Sequence, residues 1–225
     1  MSGGLCASLL EGEAGLQAVE NMRLGLLGGT FDPVHYGHLI LAENAREQCR
    51  LAAVWFLPAA TAPHKKDRPL TSAEKRIEML RLAIAGNEAF SICTQEIERG
   101  GISYSVETLS FLNAQDPSRE LFFLMGTDML LDLPNWREAE RVCQLAVPVV
   151  ACRGADADLD FSCLEHLVSP ERLAYIRRHQ VEMPRIGISS AEIRRRVALG
   201  QTIRYLVPPA VEMYILSHGL YAAPR

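Results

Sequence analysis

Short continuous apolar runs alternate along this chain with stretches whose apolar residues recur every three or four positions. Leu24–Leu27, Val54–Leu57, Leu121–Met125 and Val147–Cys152 are runs of strand length, apolar throughout, as strands covered on both faces require. Between them lie helical patterns. His38–Gln48 carries a stripe of Leu39, Leu41, Ala42 and Ala45 that continues to Cys49, and Thr71-Ser72-Ala73-Glu74 is a capping box opening a helix through Ile77, Leu80 and Ile84 to Gly86. Phe90–Ile97 alternates as a strand does, and Gly100-Gly101 turns into a helix over Ser103–Asn113. Gly126-Thr127-Asp128 starts a short helix before Pro134, and Trp136–Leu145 is helical.

The last third repeats the alternation less regularly. Residues 153–168 read as irregular, and Asp156, Asp158 and Asp160 lack the glycine and terminal glutamate of a calcium loop. Ser169-Pro170-Glu171 caps a helix to His179, and Val181–Ile188 holds strand-like pieces. Ser189-Ser190-Ala191-Glu192 is a second capping box, on a helix that Gly200 ends, and Pro208–His218 is a final helix closed by Gly219. Apolar strands separated by helices predict an α/β fold: one Rossmann-like domain with a doubly wound parallel sheet, helices on both faces and a small helical C-terminal part. Ligands of such domains bind outside the carboxyl ends of the strands.

The domain is expected over residues 22–225. Residues 1–21 are small and acidic, and they precede what reads as a natural beginning at Met22-Arg23, so they are expected to form a flexible extension. They hold Glu11, Glu13 and Glu20 without Lys or Arg, a charge of −3 out of the chain's −4. The remaining −1 argues against a nucleic-acid partner, whose binding domains are usually basic. With 48% hydrophobic residues among 225, the chain can bury a large core, and no apolar run approaches the roughly 20 residues of a membrane span. The six cysteines form no C-x-x-C pair, which suits a reducing compartment; with no secretory leader pattern, a cytoplasmic protein is expected. Composition leaves monomer and homo-oligomer equally open.

Four segments fall just after predicted strands. Gly28-Gly29-Thr30-Phe31-Asp32-Pro33-Val34-His35-Tyr36-Gly37-His38 ends a strand in two glycines and delivers two histidines to a helix start. Glycine admits close approach of an anion, and the first turn of a helix offers free N–H groups. His35 and His38, three apart, lie on one face and can both donate to phosphate; two metal ligands at helical spacing are the alternative. Neither G-x-G-x-x-G nor the P-loop fits. Pro63-His64-Lys65 lies in a basic loop, either a solvated one or a phosphate cover. Asp128 can accept from ribose hydroxyls or serve as a helix cap, and Trp136 can stack on a heteroaromatic ring or belong to the core. Ser189, Ser190 and Arg194 form a second anion-ready helix start, or an ordinary cap with surface arginines. Two such starts favour a polyphosphate.

The eleven-residue string resembles the signature of the nucleotidyltransferase superfamily with a His-x-Gly-His motif. Together with PHK (63–65), ISYSVETL (102–109), GTDMLLDLPNW (126–136), ISSAEIR (188–194) and YLVPPAVEMYI (205–215), the chain from Met22 to Tyr221 resembles bacterial nicotinate-nucleotide adenylyltransferase. That resemblance implies adenylyl transfer from ATP to nicotinate mononucleotide, giving nicotinate adenine dinucleotide (deamido-NAD) and pyrophosphate in NAD biosynthesis. It implies Mg²⁺ carried mainly by ATP phosphates, with no protein metal site. By position it assigns catalysis to His35, His38 and Lys65. ATP binding falls to Gly28, Gly29, Thr30, Phe31, His35, His38, Gly126, Asp128, Ile188, Ser189, Ser190 and Arg194. Nicotinate-nucleotide binding falls to Thr30, Phe31, Lys65, Tyr104, Ser105 and Trp136. Ser105, Glu107 and Ala191 stand where the family commonly has Thr, Asp and Thr. Phosphopantetheine adenylyl transfer leaves Trp136 and the ISYS segment unexplained, and a non-catalytic nucleotide sensor leaves His35, His38, Lys65 and Arg194 unexplained.

Overall fold

The computed structural model describes residues 22–61, 70–153 and 159–223. The basic loop with Pro63, His64 and Lys65, the extension 1–21, and Asp156 and Asp158 lie outside the described residues. Six strands form one parallel sheet in the order β3-β2-β1-β4-β5-β6. They are β1 (Arg23–Gly29), β2 (Ala53–Pro58), β3 (Phe90–Ile92), β4 (Glu120–Met125), β5 (Ala146–Arg153) and β6 (Val181–Met183). This is the doubly wound order the apolar runs predict, with β1 and β4 adjacent at the point where the winding reverses. Leu27 of β1 pairs in register with Leu124 of β4, so the strand ends at Gly28-Gly29 and at Met125 lie side by side.

The connecting helices are α1 (Tyr36–Gln48), α2 (Ala73–Ile84), α3 (Gln95–Arg99), α4 (Ser105–Gln115), α5 (Thr127–Asp132), α6 (Ala139–Leu145), α7 (Pro170–Arg178), α8 (Ser190–Ala198) and α9 (Pro209–Ser217). Leu24, Leu26, Leu27, Val54, Phe56, Phe122, Leu124, Val147 and Val149 are all buried, as expected of strands sandwiched between helical layers. No described helix is long and apolar enough to cross a membrane.

Several elements differ from the pattern, each for a local reason. β3 stops at Ile92, and the rest of the alternating run Phe90–Ile97 enters α3, which closes at Gly100 with φ +68°. The helix after Ile102 starts at Ser105 rather than Ser103. Ser103 is held extended: its N–H donates to Thr61 O at 3.0 Å, and its Oγ accepts from Ala60 N–H at 3.0 Å. α6 begins three residues after Trp136, because Glu138 sits in the left-handed region at φ +53° and Leu133–Asn135 forms a 3₁₀ turn. The N-cap of α2 is Ser72 rather than Thr71, so Glu74 falls one position short of a capping box. In α8 the box is in register, with Glu192 N–H donating to Ser189 Oγ at 3.2 Å.

Candidate active site

A cavity of about 510 Å³ opens at the carboxyl ends of β1 and β4. It is walled by Gly28, Gly29 and Thr30 from the end of β1, His38 from α1, Tyr104 and Ser105 from the start of α4, Asp128 from α5, Trp136, and Ser190 from the start of α8. Residues spread over more than 160 positions of sequence therefore meet at the winding reversal, where the fold class predicts a ligand.

The two histidines occupy different layers. His35 is the N-cap of α1, 7% exposed, and His38 lies over it with ring centroids 3.7 Å apart and planes 22° from parallel. His35 N–H donates to His38 Nδ1 at 3.2 Å, so the neutral ring of His38 carries its proton on Nε2. Burial lowers the pKa of His35 to about 4, so its ring is neutral at pH 7. Its Nδ1 is buried without a hydrogen-bond partner, and a Cβ on Gly37 would stand 3.0 Å from the same ring. Glycine at 37 is what leaves room for the imidazole. Because its pKa is below the unfolded value, His35 binds a proton more readily when unfolded. Its share of stability is present above about pH 6.5 and lost as pH falls toward about 4. The His35→Gln variant should therefore lose less melting temperature than the parent between pH 7 and pH 4.5, measured by thermal denaturation. Parallel losses would contradict a buried neutral His35.

The signature loop is fastened from behind. Phe31 is 1% exposed at φ +47°, a conformation disfavoured for a bulky residue, and its ring packs edge-on to His38 at 5.0 Å and against Phe56 at 5.7 Å. Arg76, 2% exposed, donates to the carbonyls of Thr30 (2.8 Å), Ala59 (2.9 Å) and Thr71 (2.9 Å). A trans peptide points its C=O and N–H oppositely, so anchoring the Thr30 carbonyl on Arg76 turns the Phe31 N–H away from that guanidinium. Asp32, 1% exposed, accepts from Tyr221 Oη at 2.6 Å; burial and this bond hold the phenol well above its usual pKa. Arg194 donates to Asp32 O, and Ser190 Oγ to Pro33 O at 2.8 Å.

Of the residues predicted from sequence, Phe31, His35, Gly126, Ile188, Ser189 and Arg194 stand beside or behind the cavity rather than in its wall. Ser189 is exposed and caps α8, and Arg194 is turned to the signature loop. Sequence reasoning missed Arg76, which reads as one charge in an amphipathic helix, and Tyr221, which lies far along the chain. It also missed the three charged cavity residues Glu96, Asp132 and Arg137. Glu96 is 7% exposed and accepts from Thr108 Oγ1 at 2.8 Å. Asp132 accepts from Trp136 Nε1 at 3.1 Å, so it fixes the indole that also meets Phe123 edge-on. Arg137 follows the tryptophan. Among the described residues no group of three or more His, Cys, Asp or Glu could hold a metal ion.

The profile of the cytidylyltransferase-like family matches residues 26–196. A protein of Thermomicrobium roseum named "Probable nicotinate-nucleotide adenylyltransferase" is 46% identical over 200 residues, 88% of this chain and 91% of its own length. One of the same name from Roseiflexus is 45% identical over 88% of this chain and 97% of its own. The chain belongs to the nicotinate-nucleotide adenylyltransferase family. A solved structure of nicotinic acid mononucleotide adenylyltransferase from Plasmodium falciparum, complexed with NaAD, shares the fold with a TM-score of 0.67 at 19% identity, over 88% of this chain and 97% of that one. In this member of the family, Gly28, Gly29, Thr30 and His38 of the string 28–38 line the cavity, as do Ser103, Tyr104 and Ser105 of the segment 102–109.

Proposed function

We propose that the protein transfers the adenylyl group of ATP to nicotinate mononucleotide, releasing pyrophosphate and deamido-NAD. The observation that carries this reading is the meeting of His38, Thr30 and Ser190 with Asp128, Trp136, Tyr104 and Ser105 around one cavity. The first three offer donors for phosphate, Asp128 a carboxylate for a ribose, and the last three a ring-binding wall. Family membership supplies the substrates by analogy.

In this reading the mononucleotide phosphate is already ionised and needs no general base. One of its oxygens attacks the α-phosphorus in line, the bond to the β-phosphate oxygen breaks, and pyrophosphate leaves with that electron pair. His38 donates from Nε2 to the α-phosphate as charge builds there. Buried His35 sets the ring of His38 through the stack and the N–H to Nδ1 bond. Thr30 and Phe31 offer backbone donors beside the reacting phosphates. Ser189, Ser190 and Arg194 at the start of α8 receive the β- and γ-phosphates, which draws Arg194 from the Asp32 carbonyl. Lys65 is assigned to the mononucleotide phosphate. Gly126, Asp128 and Ile188 flank the adenosine, and the ring of nicotinate lies between Trp136 and the first turn of α4. There the N–H groups of Ser105 and Val106 fall outside the helix's own ladder. Mg²⁺ enters as the ATP complex, its ligands phosphate oxygens and water. The free thiols of Cys49, Cys93, Cys143 and Cys163 fit a cytoplasmic enzyme.

The test is pyrophosphate release from Mg-ATP with nicotinate mononucleotide, nicotinamide mononucleotide or phosphopantetheine as acceptor. Release that is fastest with nicotinate mononucleotide is the expected result. Release only with phosphopantetheine, or none with any acceptor, would overturn the proposal.

A further inference from the structure

The described wall of the cavity carries the carboxylates of Glu96, Asp128 and Asp132, and a single arginine, Arg137. An anionic acceptor entering this wall meets that one permanent cation. The guanidinium of Arg137 lies over the Tyr104 ring, 4.9 Å from its centroid, and Nη1 donates to Glu107 Oε1 at 2.8 Å. Glu107 is in the first turn of α4, and its other oxygen lies 3.4 Å from Arg99 Nη1. Glu138 lies 3.8 Å from Arg137 Nε and is shared with Arg141 at 3.3 Å. Three arginines face two glutamates, a net charge of +1 beside the first turn of α4. Glu107 would otherwise repel an anion at this helix start; the arginines neutralise it and leave Arg137 on the cavity side.

We infer that Arg137 is a specificity-determining residue, favouring a mononucleotide whose ring bears a carboxylate over one bearing a neutral amide. The inference rests on the adenylyl-transfer reading above. Arg137 is held in place by Tyr104 and Glu107 before any ligand arrives, so little ordering is needed on binding. Its side chain is 52% exposed, so the effect is moderate and weakens with salt.

The decisive measurement is kcat/KM for nicotinate and nicotinamide mononucleotides with the parent, Arg137→Gln, Arg137→Lys and Arg137→Glu, at low and high ionic strength. In Arg137→Gln the acid-to-amide ratio should fall about two- to fivefold through the KM for nicotinate mononucleotide, with the KM for ATP hardly moved. Arg137→Lys should keep most of the ratio, Arg137→Glu should lower it further, and high salt should shrink these differences. An unchanged ratio, or equal losses with both mononucleotides, would overturn the role of Arg137 and leave a residue that merely covers Tyr104. A parent enzyme that does not adenylylate nicotinate mononucleotide would overturn the functional reading itself, and this inference with it.

Discussion

Replacing His38 by alanine should lower turnover about 10²–10³-fold at saturating ATP and mononucleotide, the usual loss when one donor to developing charge is removed. The size follows from how firmly the ring is prepared. Its Nδ1 is occupied by the His35 N–H at 3.2 Å, which commits the proton to Nε2. Its plane is fixed by the His35 ring at 3.7 Å and the Phe31 edge at 5.0 Å. A donor that is oriented before the substrate binds has little reorganisation left to do in the transition state. Steady-state kinetics of His38→Ala should show kcat falling far more than KM for ATP rises. Turnover within a few-fold of the parent would remove His38 from the chemistry.

Replacing Arg76 by methionine should produce the largest structural effect. The side chain is 2% exposed and its guanidinium serves three carbonyls, on Thr30, Ala59 and Thr71. Methionine fills much of the volume but leaves those acceptors without their donor, and an unsatisfied buried polar group costs about 1–3 kcal/mol. Burial already lowers the pKa of Arg76, and Asp32 opposes that shift, so the charge belongs to the loop it holds. A loss of at least ~3 kcal/mol corresponds to about 6–12 °C in Tm for a chain of this size. Below that temperature turnover should also fall ~10²-fold, because a phosphate loop displaced by an ångström misplaces the reacting atoms. Thermal denaturation and kcat measured on the same sample check both. A Tm within 2 °C of the parent would mean the three carbonyls find other donors.

The sheet was legible because its strands are buried on both faces, and an apolar run such as Leu121–Met125 has few other uses. The edge strands were found but not bounded, since β3 and β6 are three residues long and carry too little pattern to fix where they end. Helix starts went wrong where tertiary bonds override local preference. Ser103 reads as the first residue of a helix but is committed to Ala60 and Thr61, and Glu138 interrupts a helix that the composition of 136–145 supports. Cavity residues followed the same division. Those within motifs after strand ends, Thr30, His38, Tyr104 and Trp136, could be read from position along the chain. Glu96 could not, because it reads as one position of the alternating run Phe90–Ile97, and nor could Arg76 outside the cavity wall, because a charged residue in an amphipathic helix looks alike whether it faces solvent or a buried carbonyl. The link from Tyr221 to Asp32 spans 189 positions and has no local signature.

The central claim is that this cavity moves the α-phosphate of ATP onto a mononucleotide. It is tested most directly by following the phosphorus. With ATP labelled in the α-phosphate and nicotinate mononucleotide as acceptor, the label should appear in the dinucleotide, and label in the γ-phosphate should appear only in pyrophosphate. Label from the γ-position in the nucleotide product, or γ-label released as free phosphate with no dinucleotide formed, would contradict the account.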